Sequence, residues 1–267
     1  MTEPVMEIPK YDVLGAEISA VNLDIAAQAI GGMIARREKG YVCVAPVSTV
    51  VDAHRSQEYR AIVNSAALTT PDGMPIVWLG RRQGHVGVRR TYGPDLMFRL
   101  CDAGREAGWR HFFYGGTAEV CAKLVQRFKN KFPDLVVAGT YAPPYVPKAE
   151  RVAPEIIRAL NDSRADILWV GLGSPKQDYW MSIHRPLLDV PVMIGIGAAF
   201  DFHAGVKPQA PLWMQRSGLE WLFRLCCEPR RLWKRYLIGN ALFIWWLSTD
   251  KLLRKAQGAG HRARDSR

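Results

Sequence analysis

Cysteine is scarce in this chain: there are five (Cys43, Cys101, Cys121, Cys226 and Cys227), an odd number, with no C-x-x-C pair. That excludes the disulfide framework of a small secreted domain and the ligand spacing of a zinc finger, and points to a reducing cytosol. The six histidines (His54, His85, His111, His184, His203 and His261) form no H-x-x-x-H or H-x-E pair. A dedicated transition-metal site is therefore not expected. Also missing are a G-x-G-x-x-G fingerprint, a P-loop G-K-[ST] and a G-x-S-x-G nucleophile elbow. These absences count against dinucleotide-dependent redox enzymes, P-loop phosphotransferases and serine hydrolases. No unit of 20–50 residues repeats, so a solenoid is not expected. Met1 to Lys10 carries Glu3, Pro4, Glu7 and Pro9 without an apolar centre, and does not read as a signal peptide. The longest strongly apolar run, Tyr236 to Leu247, is twelve residues interrupted by Asn240. That is short of the ~18 residues a helix needs to cross a bilayer.

The 267 residues allow one large domain, or one domain with an appendage. Hydrophobic residues make up 48% and charged residues 23%, a globular balance that leaves no room for global disorder or a fibrous class. Charge is distributed unevenly. Residues 1–206 hold 23 basic and 21 acidic side chains, whereas residues 207–267 hold 13 and 4, so +9 of the net +11 sits in the last quarter. Five of the nine tryptophans are there too: Trp213, Trp221, Trp233, Trp245 and Trp246. Tryptophan among lysine and arginine suits an anionic membrane surface, with indole at headgroup level and cations on phosphate. Nucleic acid would accept the same charges, and a helix with a core stripe and a solvated basic face would show the same composition.

Short apolar runs alternate with helical patterns along residues 1–206. Strands are expected at Tyr41–Ala45, Ala66–Thr70, His111–Tyr114, Leu135–Gly139, Asp166–Val170 and Val192–Ile196. Helices are expected after Asn22, over Thr49–Ser65, from Pro94, from Thr117 to about Phe132, and around Pro154–Leu160. The alternation predicts an α/β fold: a Rossmann-like, mainly parallel sheet flanked by helices. From about Pro208 only helices follow, at Pro211–Leu219, Leu219–Cys227 and Pro229–Leu247, with fraying after Gln257. The boundary is placed near residue 207, giving an α/β domain of 1–206 and a basic, tryptophan-rich helical appendage of 207–267.

In parallel sheets chemistry gathers at the carboxyl ends of strands, and four such segments stand out. In Thr69-Thr70-Pro71-Asp72-Gly73-Met74-Pro75, Asp72 suits either a general base facing a cleft or a cap for the following helix. In Tyr114-Gly115-Gly116-Thr117, glycines let backbone N–H groups approach a phosphate, or simply make a tight strand-to-helix turn. In Gly171-Leu172-Gly173-Ser174-Pro175-Lys176-Gln177-Asp178, a helix N-terminus with Lys176 and Gln177 in its first turn suits a diphosphate or a uracil edge; a capped turn with Lys176 in solvent is the alternative. In Gly195-Ile196-Gly197-Ala198-Ala199-Phe200-Asp201-Phe202-His203, small residues flank Asp201, which suits ribose or sugar hydroxyls, while His203 reads as a hydrogen-bonded structural histidine. Arg224, Arg231 and Arg235, at spacings of seven and four, would share one face if the helix ran on through Pro229.

Taken in order, these segments resemble the bacterial WecG/TagA/CpsF glycosyltransferases (glycosyltransferase family 26). The resemblance is carried by Pro71-Asp72-Gly73-Met74-Pro75-Ile76-Val77-Trp78, Gly93-Pro94-Asp95-Leu96, Phe113-Tyr114-Gly115-Gly116, the Gly171–Asp178 and Gly195–Asp201 segments, and Arg216-Ser217-Gly218-Leu219-Glu220-Trp221 with Glu228-Pro229-Arg230-Arg231-Leu232. It implies inverting, metal-independent transfer of a sugar from a UDP-sugar to a polyprenyl-diphosphate-linked acceptor, in cell-surface polysaccharide synthesis at the cytoplasmic membrane face. The sugar would be of the N-acetylmannosamine type or a related hexose or uronic acid, with no cofactor. The resemblance puts Asp72 in the general-base position and Arg90, Gln177 and Asp201 around the nucleotide-sugar. Gly115, Gly116, Gly173 and Lys176 join the substrate-binding set from the strand-end readings. Arg224, Arg231 and Lys234 match the basic appendage, which helps close the site and meets the membrane. Family members commonly carry Thr and Asn at the strand end where this chain has Val44 and Pro46, with Ser48 and Thr49 nearby. A homo-oligomer is the default expectation, and nucleic acid is not an expected partner. The rival readings are another nucleotide-binding Rossmann-like enzyme, which lacks its glycine fingerprint here, and a non-enzymatic basic adaptor, which leaves the four strand-end clusters unexplained.

Overall fold

A strand that is apolar at every position has to be covered on both faces. The structure, a computed structural model describing residues 6–250, does this with one parallel sheet between helical layers. An antiparallel hairpin of β1 (Lys10–Val13) and β2 (Ala16–Ser19) comes first, then α1 (Leu23–Ala35). Next are β3 (Gly40–Ala45), α2 (Val47–Arg55), α3 (Gln57–Asn64), β4 (Leu68–Pro71), α4 (Met74–Arg82) and α5 (Gly93–Ala107). The second half of the sheet is built from β5 (Arg110–Gly115), α6 (Ala118–Lys131), β6 (Val136–Tyr141), α7 (Pro154–Asp162), β7 (Ile167–Gly171), α8 (Lys176–His184) and β8 (Val192–Gly195). After β8 the described chain is helical: α9 (Ala199–His203), α10 (Leu212–Arg216), α11 (Glu220–Cys227) and α12 (Pro229–Trp233). α12 runs without a break through a π-helical stretch, Lys234–Ile238, to residue 250.

The sheet order is β4-β3-β8-β7-β5-β6, and every neighbouring pair is parallel. All six expected strands are present, and the Rossmann-like α/β expectation holds. One face is packed by α1, α5, α6 and α9 through Ile30, Leu96, Leu100, Leu124 and Phe200. On the other face Trp180 and Met181 of α8 meet Tyr114, Leu168 and Met193. A third cluster joins the hairpin to α2, α3 and α4, and Phe243 of the last helix is buried in it beside Val50, Ile76 and Val77. The C-terminal helices are therefore seated against the β3–β4 side of the molecule.

Two local expectations are corrected. The helix expected over Thr49–Ser65 is two helices, because Ser56 leaves helical geometry (φ −126°, ψ 114°) and its hydroxyl accepts from the Tyr59 N–H to start α3. The hairpin was not expected. Its strands are four residues each, and its turn puts Leu14 at φ 55° ahead of Gly15, without the usual Asn-Gly signal. Ser19 accepts from the Thr69 N–H at 3.0 Å, so the hairpin covers the β4 edge of the sheet. The fraying expected after Gln257 lies outside the described residues.

At the opposite end from the strand carboxyl termini, Arg185 ties the sheet together. Its Nη1 donates to the carbonyls of Gly40 and Pro191, and its Nη2 to those of Leu188 and Val190. Burial pulls its pKa down to about 10, against a weaker opposing pull from Asp189, so the group stays cationic at neutral pH. Replacing it by Met would keep the stem packing and take a donor from four carbonyls, of which that of Pro191 keeps the Gly40 N–H. Arg185→Met is expected to lose about 2–4 kcal/mol in urea unfolding, with little change in substrate affinity. An unchanged unfolding midpoint would show that water replaces the guanidinium at no cost.

Candidate active site

The carboxyl ends of β3, β4, β7 and β8 converge beneath the C-terminal helices, and Asp72 stands at their centre. It follows β4 directly, held by its own N–H on the Ala45 carbonyl. Gly73 then takes φ 91°, a conformation that favours glycine, and is the residue that starts α4. The cap position of α4 is held by Gly73, not by Asp72. Its carboxylate turns to Arg90 instead, Oδ1 accepting from Nε at 3.1 Å.

Arg90 is fully engaged. Beyond Asp72 it donates from Nη2 to Glu220 at 2.5 Å and from Nη1 to Gln215 at 3.3 Å, with its guanidinium 4.0 Å from the centre of the Tyr92 ring. The pair Asp72 and Glu220 thus shares one arginine, at side-chain exposures of 12–16%. Burial, then repulsion from Asp72, raises the Glu220 pKa, while Arg90 and Arg224 oppose the rise. Arg224 is held charged: burial works against it, but Tyr236, Tyr92, Glu220 and Asp72 together outweigh burial.

Two cavities meet at this carboxylate. The smaller, about 100 Å³, is polar and is bounded by the glycine-rich turns after β7 and β8 and by Arg224, Arg231 and Arg235. The larger, about 450 Å³, runs between α4 and the C-terminal helices and is walled largely by apolar side chains such as Met74, Trp78, Trp221, Phe243, Ile244 and Leu247. Pro46, Asp72, Arg224 and Arg235 line both. A carboxylate on the boundary between an arginine-ringed pocket and an apolar trough can take a proton from a group in one while facing a reaction centre in the other.

The other expected site residues are placed unevenly. Gly173, at φ 80°, and Gln177 line the polar cavity, as do Arg224 and Arg231. Helix α11 ends at Cys227 and the chain bends at Glu228, so the single helical face expected for Arg224, Arg231 and Arg235 is not what unites them. The bend itself brings all three to the same cavity. Arg231 is salt-bridged to Glu228, and Arg235 donates to the Ser48 hydroxyl from Nε at 2.9 Å and Nη2 at 2.6 Å. Lys234 lines a separate basic cleft with Arg55 and Ser174. Gly115 and Gly116 border neither cavity. A Cβ on Gly115 would sit 2.6 Å from the Gly171 carbonyl oxygen, so that glycine allows β5 and β7 to approach. Lys176 turns away too, donating to the Val146 carbonyl at 2.7 Å beside a third cavity of about 200 Å³ that Tyr114, Tyr141 and Trp180 line. Asp201 is drawn into an ion chain, paired with Lys207 at 3.0 Å, which also reaches Glu228 at 3.3 Å. His203 is structural as expected, bonded to the Pro94 carbonyl. Val44 and Pro46 both face the polar cavity, and Ser48 supplies the nearby hydroxyl.

Sequence reasoning gave no site role to Glu220, Gln215, Tyr92 or Trp78, although Trp78 and Glu220 lie in segments that carry the family resemblance. Glu220 opens α11, where an acidic residue is ordinary, so its pairing with Arg90 left no local signal. Among the described residues no cluster of His, Cys, Asp and Glu is arranged to hold a metal ion.

Comparison with known proteins agrees with this architecture. Residues 11–257 match the pattern of the glycosyl transferase WecG/TagA/CpsF family. Among characterised proteins, the chain is 34% identical over 186 residues to an N-acetylglucosaminyldiphosphoundecaprenol N-acetyl-beta-D-mannosaminyltransferase of Bacillus spizizenii strain W23, covering 70% of each chain. It is 31% identical over 224 residues to the Bacillus subtilis strain 168 protein of the same name, covering 84% of this chain and 76% of that one. A Staphylococcus aureus (NCTC 8325) protein, again of that name, is 23% identical over 252 residues, 94% of this chain and 96% of its own. With the match running through the strand ends, the arginine-ringed cavity and the C-terminal helices alike, the chain belongs to the WecG/TagA/CpsF family of glycosyl transferases.

Proposed function

We propose that this protein is an inverting glycosyltransferase that moves a sugar from a UDP-sugar to a sugar carried on a polyprenyl diphosphate. The observation that carries this reading is the position of Asp72, on the boundary between the polar cavity and the apolar one. The polar cavity takes the donor diphosphate, and the apolar trough takes the acceptor with the first part of its lipid. The relatives are named for transferring N-acetylmannosamine to N-acetylglucosaminyl-diphosphoundecaprenol, and the same pair is proposed here.

In the chemical step Asp72 takes the proton of the acceptor hydroxyl as its oxygen forms a bond to C1 of the donor sugar. The bond from C1 to the β-phosphate oxygen breaks on the opposite face, and UDP leaves with that electron pair. Attack from the face opposite UDP inverts C1. Negative charge grows on the leaving diphosphate, where Arg224, Arg231 and Arg235 converge to stabilise it. Arg90 orients Asp72 by holding Oδ1, and no donor among the described residues occupies Oδ2.

Residues 207–267 are proposed as an appendage that closes the site and rests on the cytoplasmic face of the membrane. Leu212, Trp213, Ile244 and Trp245 are each more than half exposed, in the quarter of the sequence that carries +9 of the net charge. No helix among the described residues is long and apolar enough to cross a membrane. UDP at a hundred times its dissociation constant is expected to stabilise the fold by ~2.7 kcal/mol, whereas NAD and duplex DNA leave the melting temperature unchanged. Transfer from UDP-N-acetylmannosamine to a synthetic polyprenyl-diphosphate N-acetylglucosamine, followed by mass spectrometry, is the direct assay. Stabilisation by NAD with none by UDP would return the protein to the other Rossmann-like enzymes.

A further inference from the structure

Helix α4 leads away from Asp72, and one of its faces forms a wall of the apolar trough. Met74, Trp78 and Arg82 follow one another at intervals of four, so they share that face, and all three line the trough. Asp72 precedes the helix by one glycine, and Arg82 is its last residue. At about 1.5 Å per residue, the helix carries this wall about 12 Å from the Asp72 end to the Arg82 position. A carboxylate thus stands at the head of the wall, an indole one turn along it and a cation two turns along it.

Neither of the two outer side chains is explained by packing. Trp78 is 47% exposed. The turn ahead of α11 passes the edge of its ring at Gly218, φ 77°, where a Cβ would stand 3.4 Å from Trp78 Cη2 and 3.3 Å from Met74 Cβ. A side chain at that turn would press on the indole, so glycine leaves the ring its place in the wall. Arg82 has no ion pair and no hydrogen bond among the described residues, whereas Arg81 beside it donates to the Val88 carbonyl at 3.0 Å. A cation in a last turn answers the helix dipole, but Arg81 already supplies one there, and the dipole does not require a place in a cavity wall.

The last helix supplies another wall. Tyr236, Asn240, Phe243, Ile244 and Leu247 are spaced four, three, one and three apart, form one helical face, and all line the trough. Asn240, which interrupts the apolar run of the sequence, is the one amide on that face, and its carboxamide has no hydrogen-bond partner among the described residues. A prenyl chain laid over it would bury the carboxamide unpaired, so the polar part of an occupant belongs at Asn240 and hydrocarbon begins at Phe243. Arg224 and Arg235 also line the trough, but the transfer step commits them to the donor diphosphate. A second diphosphate needs a cation of its own, away from the first.

The geometry points to α4 as a ruler for the acceptor's head group: the sugar lies across Trp78 with its reacting hydroxyl at Asp72, and Arg82 takes the diphosphate that follows. This rests on the trough being the acceptor site. One helical turn, about 5.4 Å, is close to the span of a pyranose ring, so the sugar fills the first interval and the phosphates fall in the second. The C–H face of the ring packs on the indole, and the Arg82 guanidinium can hold two phosphate oxygens at once. The Asn240 carboxamide meets the polar substituents of the same head group.

The test is transfer by the full chain from UDP-N-acetylmannosamine to a short-chain prenyl diphosphate N-acetylglucosamine, in wild type, Arg82→Gln, Arg82→Lys and Trp78→Leu. Inhibition by the same sugar on an uncharged prenyl ether measures binding without phosphate, and calorimetry with UDP is read alongside. Arg82→Gln is expected to raise the acceptor KM roughly tenfold, the worth of one hydrogen bond to a charged group. Arg82→Lys, which keeps the charge without the fork, should fall between Arg82→Gln and wild type. The uncharged inhibitor should bind wild type and Arg82→Gln alike. Trp78→Leu should weaken acceptor and inhibitor together, several-fold. Should that variant not fold, Asn240→Leu, on a helix face already apolar, carries the same expectation. The Kd of UDP should not move, because neither Trp78 nor Arg82 lines the polar cavity. An unchanged KM in Arg82→Gln or in Trp78→Leu, or an Arg82→Gln loss equal for acceptor and inhibitor, overturns the ruler and leaves the acceptor site standing. Wild type that binds UDP yet transfers to no prenyl diphosphate would remove the acceptor reading of the trough, and the ruler with it.

Discussion

Replacing Asp72 by Asn is expected to cut sugar transfer by ~10²–10⁴ and to leave UDP affinity within about twofold. The substitution keeps the shape of the side chain, and the amide oxygen can still accept from Arg90 Nε. What it removes is the one property the step needs, a site for the acceptor's proton. UDP affinity is spared because the arginines that meet the diphosphate come from the C-terminal helices, and Asp72 is the weakest of the groups that hold Arg224 charged. Glu220 supplies an internal control. It shares Arg90 with Asp72, lines the apolar cavity, and has its pKa raised by burial and by Asp72. Glu220→Gln should weaken the hold on Arg90 and lower turnover by far less than Asp72→Asn. Steady-state kinetics with saturating UDP-sugar checks both. If Asp72→Asn remains active while Glu220→Gln is inert, the base is Glu220 and Asp72 is its orienting partner.

Ending the chain after Val206 is expected to abolish transfer and binding to anionic vesicles together. The cut removes Arg224, Arg231 and Arg235 from the polar cavity and the Trp221, Phe243 and Ile244 wall from the apolar one. It also strips away the exposed apolar groups Leu212, Trp213 and Trp245. Each lysine or arginine near an anionic surface contributes ~1 kcal/mol, and the attraction should fade as the Debye length drops from ~10 Å at 0.1 M salt to ~3 Å at 1 M. All eight strands of the described chain precede the cut, so the sheet should keep its far-ultraviolet circular dichroism. Loss of Phe243 from its buried place beside Ile76 and Val77 should make the shortened chain prone to aggregate. Co-sedimentation with anionic and neutral vesicles, at low and high salt, separates the roles. A shortened chain that pellets as well as the full one, or a full chain indifferent to lipid charge, would confine the arginines to the active site.

Arg235 shows why local pattern was not enough to assemble the site. The spacings of seven from Arg224 to Arg231 and four from Arg231 to Arg235 are visible in the sequence, and so is Pro229, which threatened the shared face. Only packing decided the outcome: the bend at Glu228 and the hydrogen bonds of Arg235 to Ser48 on α2 bring three guanidinium groups to one cavity. Lys176 and Gln177 make the same point in reverse. They are neighbours in one first turn, yet successive helical positions point about 100° apart, so Lys176 faces the aromatic cavity and Gln177 the polar one.

By itself the sequence determined the six parallel strands, the position of Asp72 at a strand end, the glycine-rich turns and the change to helices after residue 207. These follow from interactions within a few residues: apolar runs that must be buried on both faces, glycines in positive φ, prolines at first helical turns. The β1–β2 hairpin escaped because four-residue strands carry little pattern, and their stability comes from Ser19 on Thr69 and from Ile18 buried against distant residues. Which carboxylate meets Arg90, that Gln177 bridges the turns at Gly173 and Gly197, and that Asp178 stands buried against Tyr59, 119 positions away, were decided by tertiary structure alone. The physical reason is that a side chain's charge and partners depend on what the fold places within bonding distance and on how much water it removes, and neither is set by neighbours in sequence.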